Sequence, residues 1–285
     1  MSAWSFEAIG THWEIETPHE LPATVRERVM ALIGEFDEEW SRFRPDSLVS
    51  RLGNAGGSVP APADAADMLD AYRQLDAATD GAINPLIGRS LEALGYDGAI
   101  TLRAGRPQQA PRAWQSQLRW TQSELTLATP ATIDVGALGK GRLVDLVLAA
   151  LDDIDGRVVV DASGDLAVRG GALRVALEHP LDPKMAVGVA TIHDEALCAS
   201  AINRRAWGAG LHHVLDARTG APVRTWGATW AIAPDAMHAD AIATALFFEG
   251  GPDLAAQWGV QWVRMTTDGR AERSEGFAGE LFARG

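Results

Sequence analysis

The sequence has little of what would tie it to several large functional classes. It contains one cysteine, Cys198, so no disulfide can form within the chain, and its cysteine usage gives no sign of an oxidising compartment. A buried, inert thiol is the expectation. No stretch approaches the roughly 20 apolar residues that a membrane-crossing helix needs. The residues from Met1 to Glu7 lack the basic-then-apolar order of a secretory leader and carry no lipidation-type cysteine, which makes a cytoplasmic location the expectation. Positive charge is scarce as well: 25 Lys and Arg against 38 Asp and Glu give a formal net charge of −13. Spread through the chain, that excess repels nucleic-acid backbones and anionic lipid surfaces. Nucleic acid is therefore not an expected partner, and a bound diphosphate would need a metal, a helix N-terminus or a few placed cations.

What is present suffices for a large core. At 285 residues and 47% hydrophobic content, the chain can form one domain over 1–285, with possible lobes at 1–103 and 118–285. The stretch Arg103 to Gln117, with its Gln and Pro, reads as a surface connection between them. Apolar spacing predicts helices over Thr24 to Phe36, from Asp64 as N-cap to before Gly81, from Arg142 to Leu151, and over Met237 to Phe248. Ser41 to Gly57, polar and rich in Arg, Asn and Gly, reads as a loop. Short strands are expected at Leu118 to Trp120 and Leu125 to Leu127, a hairpin leading into Thr132 to Val135, and at Arg157 to Val160, Ala172 to Leu177 and Ala186 to Ile192. A closing hairpin is expected around Thr267 to Arg270. Strands and helices without regular alternation indicate an α+β fold, two-lobed, with mixed or antiparallel sheets and flanking helices.

Three segments carry candidate chemistry. Ile133-Asp134-Val135-Gly136-Ala137-Leu138-Gly139-Lys140-Gly141 places a carboxylate, small residues and a Lys at the mouth of a helix, which can bring backbone close to a phosphate. It is not a Walker A loop, because Gly141 follows Lys140 where Ser or Thr is required. A plain Gly-rich turn with a surface Lys fits the same residues. Asp240 and Thr244, four apart on an Ala-rich helix, share a face and suit Mg²⁺, which prefers hard oxygen ligands. A polar helix edge whose Thr bonds back to its own backbone fits equally. In His212-His213-Val214-Leu215-Asp216-Ala217-Arg218-Thr219-Gly220, adjacent histidines on a strand face opposite ways, so at most one points into a given site. A surface or core-satisfied histidine is the alternative for each.

Taken together and in order, these segments resemble the ApbE family of flavin transferases. The family pattern of R-x-D-S-x-x-S-R-L, G-x-F-D-P, I-D-x-G-x-x-x-K-G, N-A-G-G-D, H-x-x-D-x-x-T-G and A-x-x-A-D-x-x-A-T blocks is matched by Arg44 to Leu52, Gly81 to Pro85, Ile133 to Gly141, Asp161 to Asp165, His213 to Gly220 and Ala236 to Thr244. The likeness spans about residues 8 to 250. It implies an ApbE-like (T-fold-like) architecture and Mg²⁺-dependent transfer of FMN from FAD to a threonine of an acceptor flavoprotein, with release of AMP. By the same resemblance, Asp240, Thr244 and the Gly139 carbonyl would bind Mg²⁺. Phe43, Ala82, Ile83, Asn84, Asp134 and Lys140 would contact FAD, and His213, or Asp134 through a water, would accept the hydroxyl proton. The chain departs from the pattern at Phe43 (usually Tyr), Asn84 (Asp), Gly139 (Ala), Asp161 and Ser163 (Asn and Gly), and at Ala199-Ser200-Ala201 (T-S-G). An Mg²⁺-dependent FAD pyrophosphatase and a non-catalytic flavin-binding protein are the alternative readings.

Overall fold

The computed structural model describes residues 1–204, 206–208 and 210–282. Its frame is an eight-stranded antiparallel sheet in which Ser2–Ala8, Thr11–Thr17, Val158–Asp161, Asp165–Arg169, Ala196–Ala201, Trp226–Ala233, Gln261–Thr266 and Ala271–Arg273 lie side by side in chain order. Every neighbouring pair is antiparallel. Alternation along the strands sorts side chains to two faces. Val158, Val160, Ala196, Cys198, Ala231 and Ala233 face a core shared with the helices. Val159, Leu197, Trp230 and Ile232 face a second core, covered by a three-stranded sheet of Ala172–His179, Asp182–His193 and Gly279–Leu281. The helical face is built largely from Ala and Cys. Small residues there let the Ala236–Ala245 helix, buried at Ala236, Ala239, Ala241, Ala243 and Ala245, lie close against the sheet.

The α+β architecture with antiparallel sheets agrees with the sequence reading, and most predicted elements lie where the periodicity put them. The first helix, Ala23–Trp40, buries Val25, Val29, Ile33 and Phe36. Strands Leu118–Trp120 and Glu124–Leu127 pair as a hairpin, and Gln261–Thr266 pairs with Ala271–Arg273 across the Asp268-Gly269 turn. Three local expectations are corrected. Residues Leu48–Ala55, expected as loop, form a helix because the Ser47 hydroxyl caps it, accepting from Ser50 N at 3.0 Å. Asp64 precedes the Ala65–Ala78 helix but makes no side-chain cap; its Oδ1 accepts from Arg142 Nε at 2.6 Å. The stretch Thr132 to Val135 joins no sheet among the described residues, and Asp134 N donates to Pro85 O at 2.8 Å.

Arg103 to Gln117 is largely exposed at its start, yet it is fastened to both sides of the chain. Gly105 N donates to Ala93 O, Ala110 N donates to Ala217 O, and Asn84 Nδ2 donates to Pro111 O. Trp114 is fully buried and stacks on Trp120 with ring centroids 6.0 Å apart. One hydrophobic core includes Leu69, Tyr72, Trp114, Leu143 and Ile242, so residues before and after this stretch share an interior. Trp114→Ala is expected to lower unfolding stability by about 3–5 kcal/mol, the usual cost of deleting a buried aromatic. Urea denaturation measures it, and a loss below about 1 kcal/mol would mean that the segment is not part of the core.

Candidate functional site

Direct hydrogen bonds link five of the six sequence blocks, three of them at the first turn of the Gly139–Ala149 helix, and Arg42, just before the remaining block, joins the same network. Two residues before the first block, Arg42 donates from Nε to Asp134 Oδ2 at 2.5 Å and from Nη1 to Tyr96 O at 2.9 Å. Asp134 N donates to Pro85 O, which brings in the second block. Ala217 N donates to Ala82 O at 2.9 Å, which brings in the His213 block. Lys140 Nζ donates to Ala162 O at 2.9 Å and stands 3.0 Å from Asp165 Oδ2, joining the Asp161 block. Gly141 N donates to Asp240 Oδ2 at 3.0 Å, joining the last block.

Tyr72 braces the centre. Its hydroxyl donates to Asp134 O at 3.1 Å and accepts from Ala137 N at 3.2 Å. Burial, with the Asp134 and Asp240 carboxylates nearby, pushes the phenol well above its ordinary range, so it stays a neutral donor. Asp134 Oδ1 accepts from Gly136 N at 2.8 Å, which turns the Asp134 side chain back onto its own loop. Gly141 must lack a side chain, because a Cβ there would stand 2.1 Å from Ala236 O.

Asp240, one of the candidate metal residues, lies on this contact. Asp240 is 4% exposed and reaches the same helical turn that Gly139 opens. Thr244, partly buried, follows one turn later on the Asp240 helix, about 6 Å along its axis. Among the described residues no group of three or more His, Cys, Asp or Glu could hold an ion. A cation here would depend on one carboxylate, a hydroxyl, a carbonyl and the ligand's own oxygens, a donor set that fits Mg²⁺.

The two histidines sit in different settings: His212 ends a two-residue strand and His213 follows it outside any strand. His212 is buried with Nε2 2.8 Å from Val223 O, so Nε2 carries the proton and donates; burial pushes its pKa down and the ring stays neutral. His213 is partly buried and lies between Leu211–His212 and Leu215–Asp216. The turn after it is rigid: Arg218 grips Asp216 through Nε and Nη2, and Gly220 N donates to Asp216 O at 2.7 Å. Ala82 and Ile83 are buried, and Asn84 commits both ends of its amide, donating to Pro111 O and accepting from Leu86 N.

Sequence reasoning missed Arg42, Tyr96, Trp207 and Asp145. Phe43 meets Tyr96 edge-on at 5.3 Å, and Tyr96 stacks on Trp207 at 5.4 Å; these contacts join distant segments and leave no periodic trace. Asp145 could have been found, because it lies four residues after Gly141 and so shares its helix face. Its two carboxylate oxygens accept from Ala236 N at 2.7 Å and Met237 N at 2.9 Å. Burial pushes its pKa up to about 6 despite those bonds.

The sequence model of the ApbE family matches residues 9–263. A protein of Rhodobacter capsulatus named FAD:protein FMN transferase is 29% identical over 296 aligned positions, which cover 93% of this chain and 55% of that protein. The chain thus spans about half the length of this curated relative. Among solved structures, the ApbE protein of Thermotoga maritima superposes with a TM-score of 0.83 at 22% identity, covering 96% of this chain and 97% of its own. The flavin transferase ApbE of Vibrio cholerae gives 0.77 at 22% identity and 97% of both chains. These likenesses establish the fold.

Two outcomes follow from the buried charges. Lys140→Met strands the Asp165 carboxylate, whose side chain is 1% exposed, and should cost about 3–5 kcal/mol. Adding Asp165→Leu should recover much of that, as read from a double-mutant cycle in guanidinium. For Asp145, the folded pKa of about 6 exceeds the ordinary 3.8, so the native state binds the proton more tightly. Its contribution to stability therefore falls as pH rises from about 4 to 6. Carboxyl NMR should place the midpoint near 6, and Asp145→Asn should flatten this part of the stability profile.

Proposed function

The chain belongs to the ApbE family, and on that premise we propose that it is an FAD:protein FMN transferase, moving FMN from FAD to a threonine hydroxyl of an acceptor flavoprotein. The observation that carries the reading is the hydrogen-bonded network that links five of the six family blocks and centres on the segment from Asp134 to Gly141. The named relative from Rhodobacter capsulatus supports the same activity. In the reaction the threonine oxygen forms a bond to the FMN-side phosphorus, the bond to the AMP oxygen breaks, and the hydroxyl proton passes to a base.

The proposal gives Mg²⁺ to Asp240, Thr244 and the Gly139 carbonyl, where it would neutralise diphosphate charge that a −13 protein otherwise repels. Within the chain, His213 is the preferred base. It lies just before a braced turn, and an imidazole suits proton transfer near neutrality. Asp134, whose oxygens already accept from Arg42 and Gly136, orients the loop. Lys140 holds the helix mouth to Ala162 and Asp165, so its support of the ligand phosphates acts through the shape of that turn. Phe43, Ala82, Ile83 and Asn84 line the flavin side. The reading includes a cytoplasmic location; among the described residues, no helix is long and apolar enough to cross a membrane.

Incubation with FAD, Mg²⁺ and a candidate acceptor tests the activity: a flavinylated acceptor is expected, and free FMN plus AMP would instead indicate hydrolysis. Two variants separate the roles. Asp240→Asn keeps an oxygen for Gly141 N while removing the charge, so Mg²⁺ affinity should fall, with activity partly restored by excess Mg²⁺. His213→Ala should leave Mg²⁺ and FAD binding in place while slowing transfer about 10²–10⁴-fold. Transfer at the wild-type rate in His213→Ala would move the base elsewhere, with Asp134 next to test.

A further inference from the structure

We propose that Arg42 binds the FMN half of the dinucleotide, donating an Nη2 N–H to an oxygen of that half while it fixes the Phe43 ring and the Asp134 carboxylate. The proposal rests on the flavin reading above. The Arg42 side chain is 3% exposed. Nε is spent on Asp134 and Nη1 on Tyr96 O, and Cζ lies 4.2 Å from the Phe43 ring centroid and 5.0 Å from that of Tyr96. Nη2 is buried and donates to nothing.

The direction of that unspent donor follows from covalent geometry. A planar guanidinium presents Nε–H and one Nη2–H side by side, along the edge that a carboxylate can grip with both oxygens. Asp134 does not complete the grip, because its second oxygen accepts from Gly136 N. One Nη2–H is thus left beside the Asp134 carboxylate. Buried donors in native proteins nearly always have acceptors, and a ligand oxygen would supply this one.

The surroundings favour the flavin half over the adenine half. Phe43 is 36% exposed, and with Tyr96 and Trp207 it forms a row of rings beside the cation. Flat aromatic ligands stack on such rings. The FMN half combines a large flat ring with carbonyl and phosphate oxygens close by, whereas adenine carries no carbonyl. Lys140, the cation expected at the phosphates, already has Ala162 O and Asp165 as partners.

The test compares wild type, Arg42→Lys and Arg42→Met by calorimetry with FMN, FAD and ADP in the presence of Mg²⁺, alongside thermal melting. Arg42→Lys keeps a cation for Asp134 and loses the guanidinium fork, so it carries the test should Arg42→Met not fold. Both flavins should bind about tenfold or more weakly to Arg42→Lys, with ADP affinity within about twofold of wild type. FMN affinity equal to wild type in Arg42→Lys overturns the proposal, and so does an equal loss for ADP, which would mark a merely structural role. A wild-type protein that binds FMN but not FAD sinks the transferase reading and leaves the FMN comparison to decide Arg42. Binding of neither flavin sinks both.

Discussion

The site depends on how closely two helices approach at Gly141. A Cβ at that position would lie 2.1 Å from Ala236 O and 2.7 Å from Asp240 Cβ, so the Gly139–Ala149 helix can meet the Ala236–Ala245 helix only because nothing projects there. The contact is then locked from both directions. A carboxylate of the second helix, Asp240, accepts an amide from the first turn of the first; a carboxylate of the first, Asp145, accepts two amides from the first turn of the second. Helix N-terminal amides have no partners within the helix. Here they are satisfied across the contact, and negative charge sits at the positive end of each dipole. The Ala-rich faces of the second helix and of the strands beneath it extend the same requirement for close approach into the core.

This arrangement also explains how an acidic chain carries a cluster of carboxylates in one place. Asp134 is paired with Arg42, Asp165 with Lys140, Asp64 with Arg142, and Asp145 and Asp240 with backbone amides. Burial would penalise each charge if it were alone. The pairs do not make the region positive, so a diphosphate would still need a cation from outside the chain. The protein's own contribution is geometric: it fixes the Asp240 carboxylate against the first turn of the Gly139–Ala149 helix and ties down the loops beside it.

The legible and illegible parts of the structure divide by whether information is local. The helix from Ala23 and the hairpin around Asp268 were visible because burial imposes a period and turns use particular residues. The Leu48–Ala55 helix was not, since it is only eight residues long and lies inside a polar stretch, Ser41 to Gly57, rich in Arg and Gly; Gly53 is there because a Cβ would meet Ala131 O at 2.7 Å, a long-range reason. Asp64 looked like a cap and instead serves Arg142, a residue far along the chain. The candidate site was found through the order of six motifs, while the bonds among them, and the roles of Arg42 and Tyr96, arise from contacts that no window of sequence contains.

The departures from the family pattern gain meaning from their surroundings. Asn84, where an Asp is usual, donates to Pro111 O, which an ionised carboxylate could not do; the substitution goes with the stretch that crosses back over the site. Ser163 stands at a usual Gly and adopts a φ of 57°, a left-handed conformation that favours Gly, and its hydroxyl donates to His12 O at 2.9 Å. Phe43 lacks the hydroxyl of a Tyr but lies against the Arg42 guanidinium. Each changed residue has its own partner here, whereas the Gly141, Asp145 and Asp240 contact between helices is complete. A chain that keeps this contact keeps the junction at which the Lys140, Ala162 and Asp240 segments converge, while the side chains at other positions of the pattern vary around it.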